Sequence, residues 1–176
     1  MHYWHDLHPG EKAPEIVNAL IEIPMGSKGK YELDKTTGVL KLDRVLFSSV
    51  HYPTNYGFIP QTLCGDHDPL DILVFSSIAV PSLCIMKARV IGVMRMVDQG
   101  EADDKIIAVS ENDINVNYIT SLDTLPPHTL VEIRRFFEDY KILEGKKIDI
   151  EGFLDKQQAM RVIQESFDLY KTTFHK

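Results

Sequence analysis

The stretch Met86-Lys87-Ala88-Arg89-Val90-Ile91-Gly92-Val93-Met94-Arg95-Met96-Val97 predicts one long β-strand. Successive side chains of a strand point to opposite faces of a sheet, so residues two apart share a face. One apolar face is therefore expected to carry Ala88, Val90, Met94 and Met96. Asp98 follows them in the same parity, which predicts a carboxylate at the end of this face.

Shorter strands are predicted on both sides of this stretch, at residues 19–23, 71–75, 105–109 and 147–153. Residues 31–33 and 39–46 predict a hairpin around the turn 34–38, and residues 71–75 are apolar enough for burial on both faces. Two helices are predicted near the C-terminus, from about residue 127 to 144 and from Asp155, with Gln158 as its capping partner. The pattern indicates an α+β fold, a mainly antiparallel sheet or small barrel with outer helices, and leaves closure of the sheet open.

Several charged residues share a predicted strand face with apolar ones. Arg44 falls on the face of Leu40, Leu42 and Leu46 unless a bulge intervenes, and Glu22 falls on the face of Leu20. A buried charge is costly without a partner. Each residue alone is compatible with a structural ion pair, whereas the set favours a functional site.

The loop Asp66-His67-Asp68-Pro69-Leu70-Asp71 places three carboxylates within six residues. Ionised carboxylates at this spacing repel each other unless a hard divalent cation, which prefers oxygen ligands, lies among them. An EF-hand is excluded, because Asp71 occupies the position of its glycine and Ser77 that of its final glutamate. A solvated acidic turn is the alternative, but it gives no reason for Asp71 beside an apolar strand.

A second acidic group, Asp98, Glu101, Asp103 and Asp104, precedes Lys105. Alone it is compatible with an exposed turn. With the first group it predicts a multi-metal site able to activate a water and clamp a phosphoryl group. Side chains suited to phosphate oxygens occur along the chain: Lys30, Arg44, Tyr52, Tyr56, Lys105, Tyr140 and Lys141.

Composition limits the function classes. The chain has 176 residues, 44% of them apolar and 26% charged, which predicts a single domain over residues 1–176. A net charge of −7 argues against nucleic acid and anionic membranes, and no apolar run is long enough to cross a bilayer. The N-terminus lacks the pattern of a secretory signal, and two unpaired cysteines suit a reducing compartment, so we expect a cytoplasmic location.

The chain resembles the soluble family I inorganic pyrophosphatases of the prokaryotic type nearly from end to end. The motifs that carry the resemblance are His5-Asp6-Leu7, Leu20-Ile21-Glu22-Ile23-Pro24, Lys30-Tyr31-Glu32, Leu42-Asp43-Arg44, Tyr52-Pro53, Asn55-Tyr56-Gly57, Ile59-Pro60, the Asp66 loop, Asp98 to Lys105, and Phe136-Phe137 through Tyr140-Lys141. Their order along the chain makes the resemblance specific. It implies a five-stranded OB-like closed barrel with flanking C-terminal helices.

The resemblance also implies an activity, cofactors and an assembly. The activity is hydrolysis of pyrophosphate to two orthophosphates by a metal-activated water, without a covalent intermediate. The cofactor is Mg²⁺, several ions per subunit, with Mn²⁺ or Zn²⁺ as substitutes. The assembly is a homohexamer.

Matched position by position, the resemblance implies roles for individual residues. The metal ligands are Glu22, Asp66, Asp71, Asp98 and Asp103. Asp68 is the general base, and Glu32 and Tyr52 lie behind the residues in direct contact. The substrate contacts are Lys30, Arg44, Tyr56, Lys105, Tyr140 and Lys141, of which Lys30, Arg44 and Tyr140 also assist catalysis. His67 departs from the family, which usually has a small or short polar residue there, and it predicts an added titratable group or soft metal ligand.

Two other functions remain open at this point. One is a non-catalytic OB-type binding module with a structural metal, although such a module should have a basic groove with stacking aromatic residues. The other is hydrolysis of a different phosphoanhydride, such as a nucleotide.

Overall fold

A computed structural model of the protein describes residues 1–174, which form short and long strands and three α-helices. The strands are β1 (Ile16–Ile23), β2 (Gly29–Leu33), β3 (Leu40–Val45), β4 (Asn55–Phe58), β5 (Asp71–Phe75), β6 (Cys84–Asp98), β7 (Glu101–Ala102), β8 (Lys105–Ser110) and β9 (Ile148–Asp155). The helices are α1 (Tyr3–Asp6), α2 (Thr129–Asp139) and α3 (Lys156–Phe174). No helix in this range is both long and apolar enough for a bilayer span.

Five strands form a closed ring. Their order is β1-β4-β5-β8-β6, and β6 pairs back onto β1. The β5–β8 pair is parallel, and the other pairs of the ring are antiparallel. The ring confirms the predicted five-stranded closed barrel, and closure removes the exposed edges that an open sheet would leave.

The long strand β6 connects the ring to the strands outside it. It pairs with β1 near its start, with β8 in its middle, and with β9 and β7 towards Asp98. Its pairing shifts by one residue between Val90 and Gly92. Ala88 and Val90 therefore pack in one core cluster, and Met94 and Met96 pack in another. The prediction of one shared face is wrong, because the bulge reverses the alternation.

The two core clusters lie on opposite faces of the ring strands. Ile72 and Val74 belong to the cluster that α3 covers, and Leu73 belongs to the cluster that α2 covers. This confirms burial of residues 71–75 on both faces. Because both faces of β5 are buried, its one charged residue, Asp71, lies at the strand end, and the functional cleft forms there.

The first of the two C-terminal helices ends earlier than predicted, and the second starts where it was predicted. The first is shorter than the predicted 127–144, because α2 ends at Asp139 and a separate 3₁₀ turn spans Ile142–Glu144. Tyr140 and Lys141 lie at this break. The start of α3 is confirmed, since the backbone N–H of Gln158 donates to Asp155 Oδ1 at 3.0 Å.

The predicted hairpin is present as β2 and β3, with a bulge at Asp43. Lys30 lies opposite Arg44, and Tyr31 lies opposite Leu42, which leaves Asp43 unmatched. The expected shared face of Arg44 with three leucines assumed a regular strand, and the bulge at Asp43 removes that condition; Leu42 is 54% exposed. The bulge interrupts the alternation of side chains between Leu42 and Arg44.

Gly57 in β4 is required by the ring. A Cβ added at Gly57 would lie 1.8 Å from the carbonyl oxygen of Leu20 in β1. We expect Gly57→Ala to lower the free energy of unfolding by at least about 2 kcal/mol, because the backbone atoms cannot separate without breaking the β1–β4 pairing. Urea unfolding followed by circular dichroism measures this.

Gly65→Ala is the control, because an added Cβ there meets nothing within 4 Å. Equal stability of the Gly57→Ala variant and this control would contradict the close approach of β1 and β4.

Candidate active site

A cleft of about 260 Å³ lies between the β2–β3 hairpin, the Asp66 loop and the end of β6. It brings together twelve of the predicted site residues, which are Glu22, Lys30, Glu32, Tyr56, Asp66, Asp68, Asp71, Asp98, Asp103, Lys105, Tyr140 and Lys141. Arg44 and Tyr52 are not among its lining residues. Tyr52 is buried behind it, with its ring 5.3 Å from that of Tyr56, which agrees with a supporting position.

Lys105 is the centre of the charge pattern. The parallel pairing of β5 and β8 places Lys105 opposite Asp71, and its ammonium group contacts both Asp71 and Asp103. Only 2% of the Lys105 side chain is exposed. Burial opposes its charge, but Asp71, Tyr56 and Asp103 raise its pKa well above the usual value. Lys105 is therefore a permanent cation beneath the cleft.

Tyr56 completes this arrangement from the neighbouring strand. Its hydroxyl donates to Asp71 Oδ2 at 2.6 Å, and the Lys105 ammonium lies 5.8 Å from the centroid of its ring. Asp71 is thus held by both a hydroxyl and an ammonium group. Its position is fixed before any ligand arrives.

Glu22 enters the cleft through another bulge. The pairing of β1 with β4 shifts between Ile21 and Ile23, so Glu22 is the unmatched residue, and Leu33 N–H donates to its Oε1 at 2.6 Å. Burial, and then the charge of Asp71, raise the pKa of Glu22 to about 8. The cleft therefore favours protonation of this carboxyl at neutral pH.

Asp66 experiences the same excess of negative charge. Burial first, and then Asp103 and Asp71, raise the pKa of Asp66 to about 6. Both shifts have the same physical cause, which is that several carboxylates share a poorly solvated space. A cation bound among them would reverse the effect.

The donor set fits a hard divalent cation. Asp98 Oδ2 accepts from Lys141, whereas its Oδ1 is buried and has no hydrogen-bond partner within residues 1–174. The nearby side-chain oxygens are the ligands that Mg²⁺ prefers. Among residues 1–174, no three carboxylate, imidazole or thiol side chains already lie together as a ligand set. Lysines lie against Asp71, Asp98 and Asp103. A cation would compete with these ammonium groups.

The side of the cleft suited to anions is formed by the hairpin and the residues after α2. Lys30 Nζ lies 2.9 Å from Glu32 and 3.3 Å from Asp43, and Lys141 Nζ lies 5.2 Å from the centroid of the Tyr140 ring. These groups leave N–H and O–H donors near the carboxylates. The cleft can therefore hold phosphate oxygens beside a metal.

Arg44 lies next to the cleft but faces away from it. Its guanidinium pairs with Asp43 and, at 3.0 Å, with Glu144 of the 3₁₀ turn. One guanidinium nitrogen, Nη2, is buried without a hydrogen-bond partner among residues 1–174. Direct substrate contact by Arg44 would need its side chain to turn.

Trp4 and Lys35 are among the lining residues that the sequence did not identify as part of the site. Trp4 forms part of the wall, with 4% of the residue exposed, and Lys35 in the β2–β3 turn contacts Asp68. The turn itself was predicted, but no sequence pattern says which loop lies opposite it. A distant pair of this kind is visible only in the folded chain.

His67 lies outside the lining of the cleft. It is exposed, and its backbone has φ of +68°, a left-handed conformation that glycine adopts more easily. This agrees with a small residue being usual here. The position does not support the interpretation of His67 as a soft metal ligand.

The fold is a closed five-stranded barrel of the α+β class, and its cleft is rich in side-chain oxygens. A protein of this kind can bind divalent cations together with phosphate groups. Residues 19–171 match the family model described as inorganic pyrophosphatase. The chain is 54% identical over 170 residues to soluble inorganic pyrophosphatase 2 of Chlamydomonas reinhardtii, covering 97% of this chain and 88% of that protein. The chain belongs to the inorganic pyrophosphatase family.

Further comparisons agree. Soluble inorganic pyrophosphatase PPA1 of Solanum tuberosum is 56% identical over 169 residues, covering 96% of this chain and 80% of that protein. The crystal structure of inorganic pyrophosphatase from Thermus thermophilus superposes with a TM-score of 0.93 at 38% identity, covering 97% of this chain and 99% of that one. The likeness therefore extends over the barrel, the cleft and the C-terminal helices.

Glu22 makes the stability of the metal-free protein depend on pH. Its folded pKa of about 8 exceeds the value of about 4.3 for a free glutamate, so its contribution is present at low pH and is lost as pH rises towards 8. Glu22→Gln does not titrate and keeps an acceptor for Leu33 N–H. With chelator present, we expect the Tm of the wild type to fall more than the Tm of this variant between pH 5 and pH 8.5.

Thermal unfolding at the two pH values measures this, with the exposed Glu165→Gln as the control. An identical change of Tm in the wild type and the Glu22→Gln variant would show that Glu22 is ionised throughout this range.

His67→Gly tests the position of the imidazole. Because the side chain lies outside the cleft, we expect the rise in Tm on adding Mg²⁺, and the rise on adding Mn²⁺, to match those of the wild type within about 1 °C. Differential scanning fluorimetry measures both. A selective loss of the Mn²⁺ effect would show that His67 reaches the metal.

Proposed function

We propose that the protein hydrolyses inorganic pyrophosphate to two orthophosphates in this cleft, with Mg²⁺ as the required metal. The observation that carries the proposal is the interleaving of carboxylates with lysines and tyrosines in one cleft. An acidic cleft alone would repel a phosphate anion, whereas oxygen ligands for metal beside N–H and O–H donors can bind a metal–phosphate complex. The identity of the substrate is inferred from the relatives, which are named soluble inorganic pyrophosphatases.

The metal ligands would be Glu22, Asp66, Asp71, Asp98 and Asp103, several ions being held, with Mn²⁺ or Zn²⁺ as substitutes. When bound, these ions lower the pKa of a water and neutralise part of the substrate charge. The protein keeps the ligands in place beforehand. Tyr56 and Lys105 fix Asp71, and the Asp68 backbone N–H donates to Asp66 Oδ1 at 3.1 Å.

Asp68 is proposed as the base that takes a proton from the attacking water. Its carboxylate lines the cleft, and its side chain is 49% exposed, so water reaches it. Pro69 restricts the backbone of the loop and thereby the direction of Asp68. The water attacks phosphorus directly, and no side chain becomes phosphorylated.

The substrate contacts are proposed to be Lys30, Arg44, Tyr56, Lys105, Tyr140 and Lys141. Lys30 is oriented by Glu32, and Tyr140 is held by stacking on Phe136, with ring centroids 5.4 Å apart. Charge on the leaving phosphate is stabilised by these donors without reorganisation of water. Arg44 would join them after leaving Glu144.

Location and assembly are further parts of the proposal. The protein is proposed to act in the cytoplasm, bound to neither nucleic acid nor membrane, as a homohexamer. Exposed apolar side chains on the outer hairpin and the 3₁₀ turn, including Val45, Phe47 and Leu143, give surfaces that subunits can cover. Multi-angle light scattering measures the mass, and a monomer at micromolar concentration would contradict the hexamer.

The activity is tested by orthophosphate release. Purified protein is incubated with pyrophosphate and Mg²⁺, with and without excess chelator, and with ATP as an alternative phosphoanhydride. We expect rapid release from pyrophosphate, loss of release with chelator, and little release from ATP. Absence of release at ample Mg²⁺ would overturn the proposal.

Asp68→Asn tests the base. We expect kcat to fall by about 10²–10⁴-fold, because the amide cannot accept the proton, while metal binding is retained. Steady-state kinetics and calorimetric titration with Mg²⁺ measure the two effects. Asp123→Asn, an exposed carboxylate outside the cleft, is the control, and unchanged turnover in Asp68→Asn would remove Asp68 from this role.

A further inference from the structure

Lys35 occupies the rim of the cleft directly against Asp68. Its ammonium group contacts Asp68 Oδ1, and 47% of its side chain is exposed. The three other lysines of the lining pair elsewhere: Lys30 with Glu32 and Asp43, Lys105 with Asp71 and Asp103, and Lys141 with Asp98. Within residues 1–174, Lys35 is the ionic partner found for Asp68.

The turn that carries Lys35 is held rigidly. Asp34 Oδ1 accepts from the backbone N–H groups of Thr36 and Thr37, at 3.2 and 2.8 Å, and from the Thr37 hydroxyl at 2.7 Å. These bonds close the turn on itself. The backbone of Lys35 therefore has a fixed position, and only its side chain needs to be ordered for the contact with Asp68.

The N-terminal segment, residues 2–6, supports this turn from outside. The His2 ring nitrogen Nε2 lies 2.8 Å from the carbonyl oxygen of Lys35, and a Cβ on Gly38 would lie 3.5 Å from the same ring. A hydrogen bond between a ring N–H and this carbonyl ties the turn to the N-terminal segment.

The same segment reaches the backbone that leads into the acidic loop. Trp4 Nε1 donates to the carbonyl oxygen of Thr62 at 2.8 Å, and the Thr62 hydroxyl accepts from Leu70 N–H at 2.8 Å. Leu70 immediately precedes Asp71. Residues 2–6 thus connect the turn of Lys35 to both ends of the loop that carries Asp68.

We propose that Lys35 is a positioning residue, which holds the carboxylate of Asp68 in its reactive orientation, and that His2 fixes the turn from which it acts. This inference rests on the proposed function, because it assigns Lys35 a role through the proposed base. An exposed ion pair contributes little to global stability. The ion pair matters here because it fixes the position of the Asp68 carboxylate, and a small displacement of a reacting group lowers the rate strongly.

The primary test compares Lys35→Met with Lys35→Arg, with the exposed Lys28→Met as the matched control. We expect Lys35→Met to lower kcat about tenfold with KM for Mg²⁺-pyrophosphate within about twofold of the wild type. Lys35→Arg should keep most of kcat, Lys28→Met should keep all of it, and Tm should stay within about 2 °C in all three. Unchanged kcat in Lys35→Met, or a rise in KM alone, would overturn the inference.

The second test asks whether Lys35 acts through Asp68. Adding Lys35→Met to Asp68→Asn should lower kcat no further, because the carboxylate it positions is already gone. A further tenfold loss in the double variant would show an independent role and overturn the inference.

His2→Ala provides a readout that does not depend on turnover. We expect faster amide hydrogen exchange across residues 34–38, and a kcat about two- to threefold lower that is not additive with Lys35→Met. Unchanged exchange and rate would overturn the role of His2. A wild-type protein that releases no orthophosphate would overturn the proposed function, whereas an active wild type with an equally active Lys35→Met overturns only this inference.

Discussion

The contact of Lys105 with Asp71 and Asp103 is the interaction on which the cleft depends. A fully buried ammonium is expensive, and so are several carboxylates gathered in one poorly solvated space. The ammonium group and the carboxylates compensate each other's charge. The parallel pairing of β5 and β8 places Lys105 directly opposite Asp71. The geometry of the pair therefore follows from the sheet. The ring of strands and the charge pattern are therefore parts of one arrangement.

Around this pair, the strand irregularities decide which charged side chains enter the cleft. Bulges at Glu22 in β1 and at Asp43 in β3 interrupt the regular alternation. Glu22 thereby lines the cleft, whereas Arg44 lies beside it and pairs with Glu144. A regular strand would send every second residue to the apolar core. The bulges thus allow a polar site to lie beside a core that excludes water.

Much of the fold could be predicted from the sequence because it depends on local patterns. The strand at residues 71–75, the hairpin and the start of α3 at Asp155 all have local signals. The closed ring depends on which strands pair, a non-local property that the alternation left open and the family resemblance supplied. β4 was not predicted, since it is four residues long and contains Gly57. The first C-terminal helix was predicted too long, because a 3₁₀ turn continues its apolar pattern after Asp139.

The site shows the same division. Twelve of the proposed residues meet in the cleft. They could be predicted because the order of the motifs identified them even where strand parity did not. Parity misplaced Arg44 and the two halves of β6, since a bulge adds one residue without changing composition. Lys35 lies in a predicted turn, but its contact with Asp68 joins two loops that are separated by the strands β3 and β4 and their connections. Such a contact depends on the tertiary fold and has no local signature.

The length of β6 has a consequence for how the molecule can open. One continuous strand contributes hydrogen bonds to the ring through β1 and β8, and its far end carries Asp98 into the cleft. Detaching that end also disturbs β9, which pairs along the same half of the strand. The cleft and the barrel are then expected to belong to one cooperative unit, with amides near Asp98 exchanging only in openings that approach complete unfolding. Whatever binds in the cleft would accordingly stabilise the whole chain.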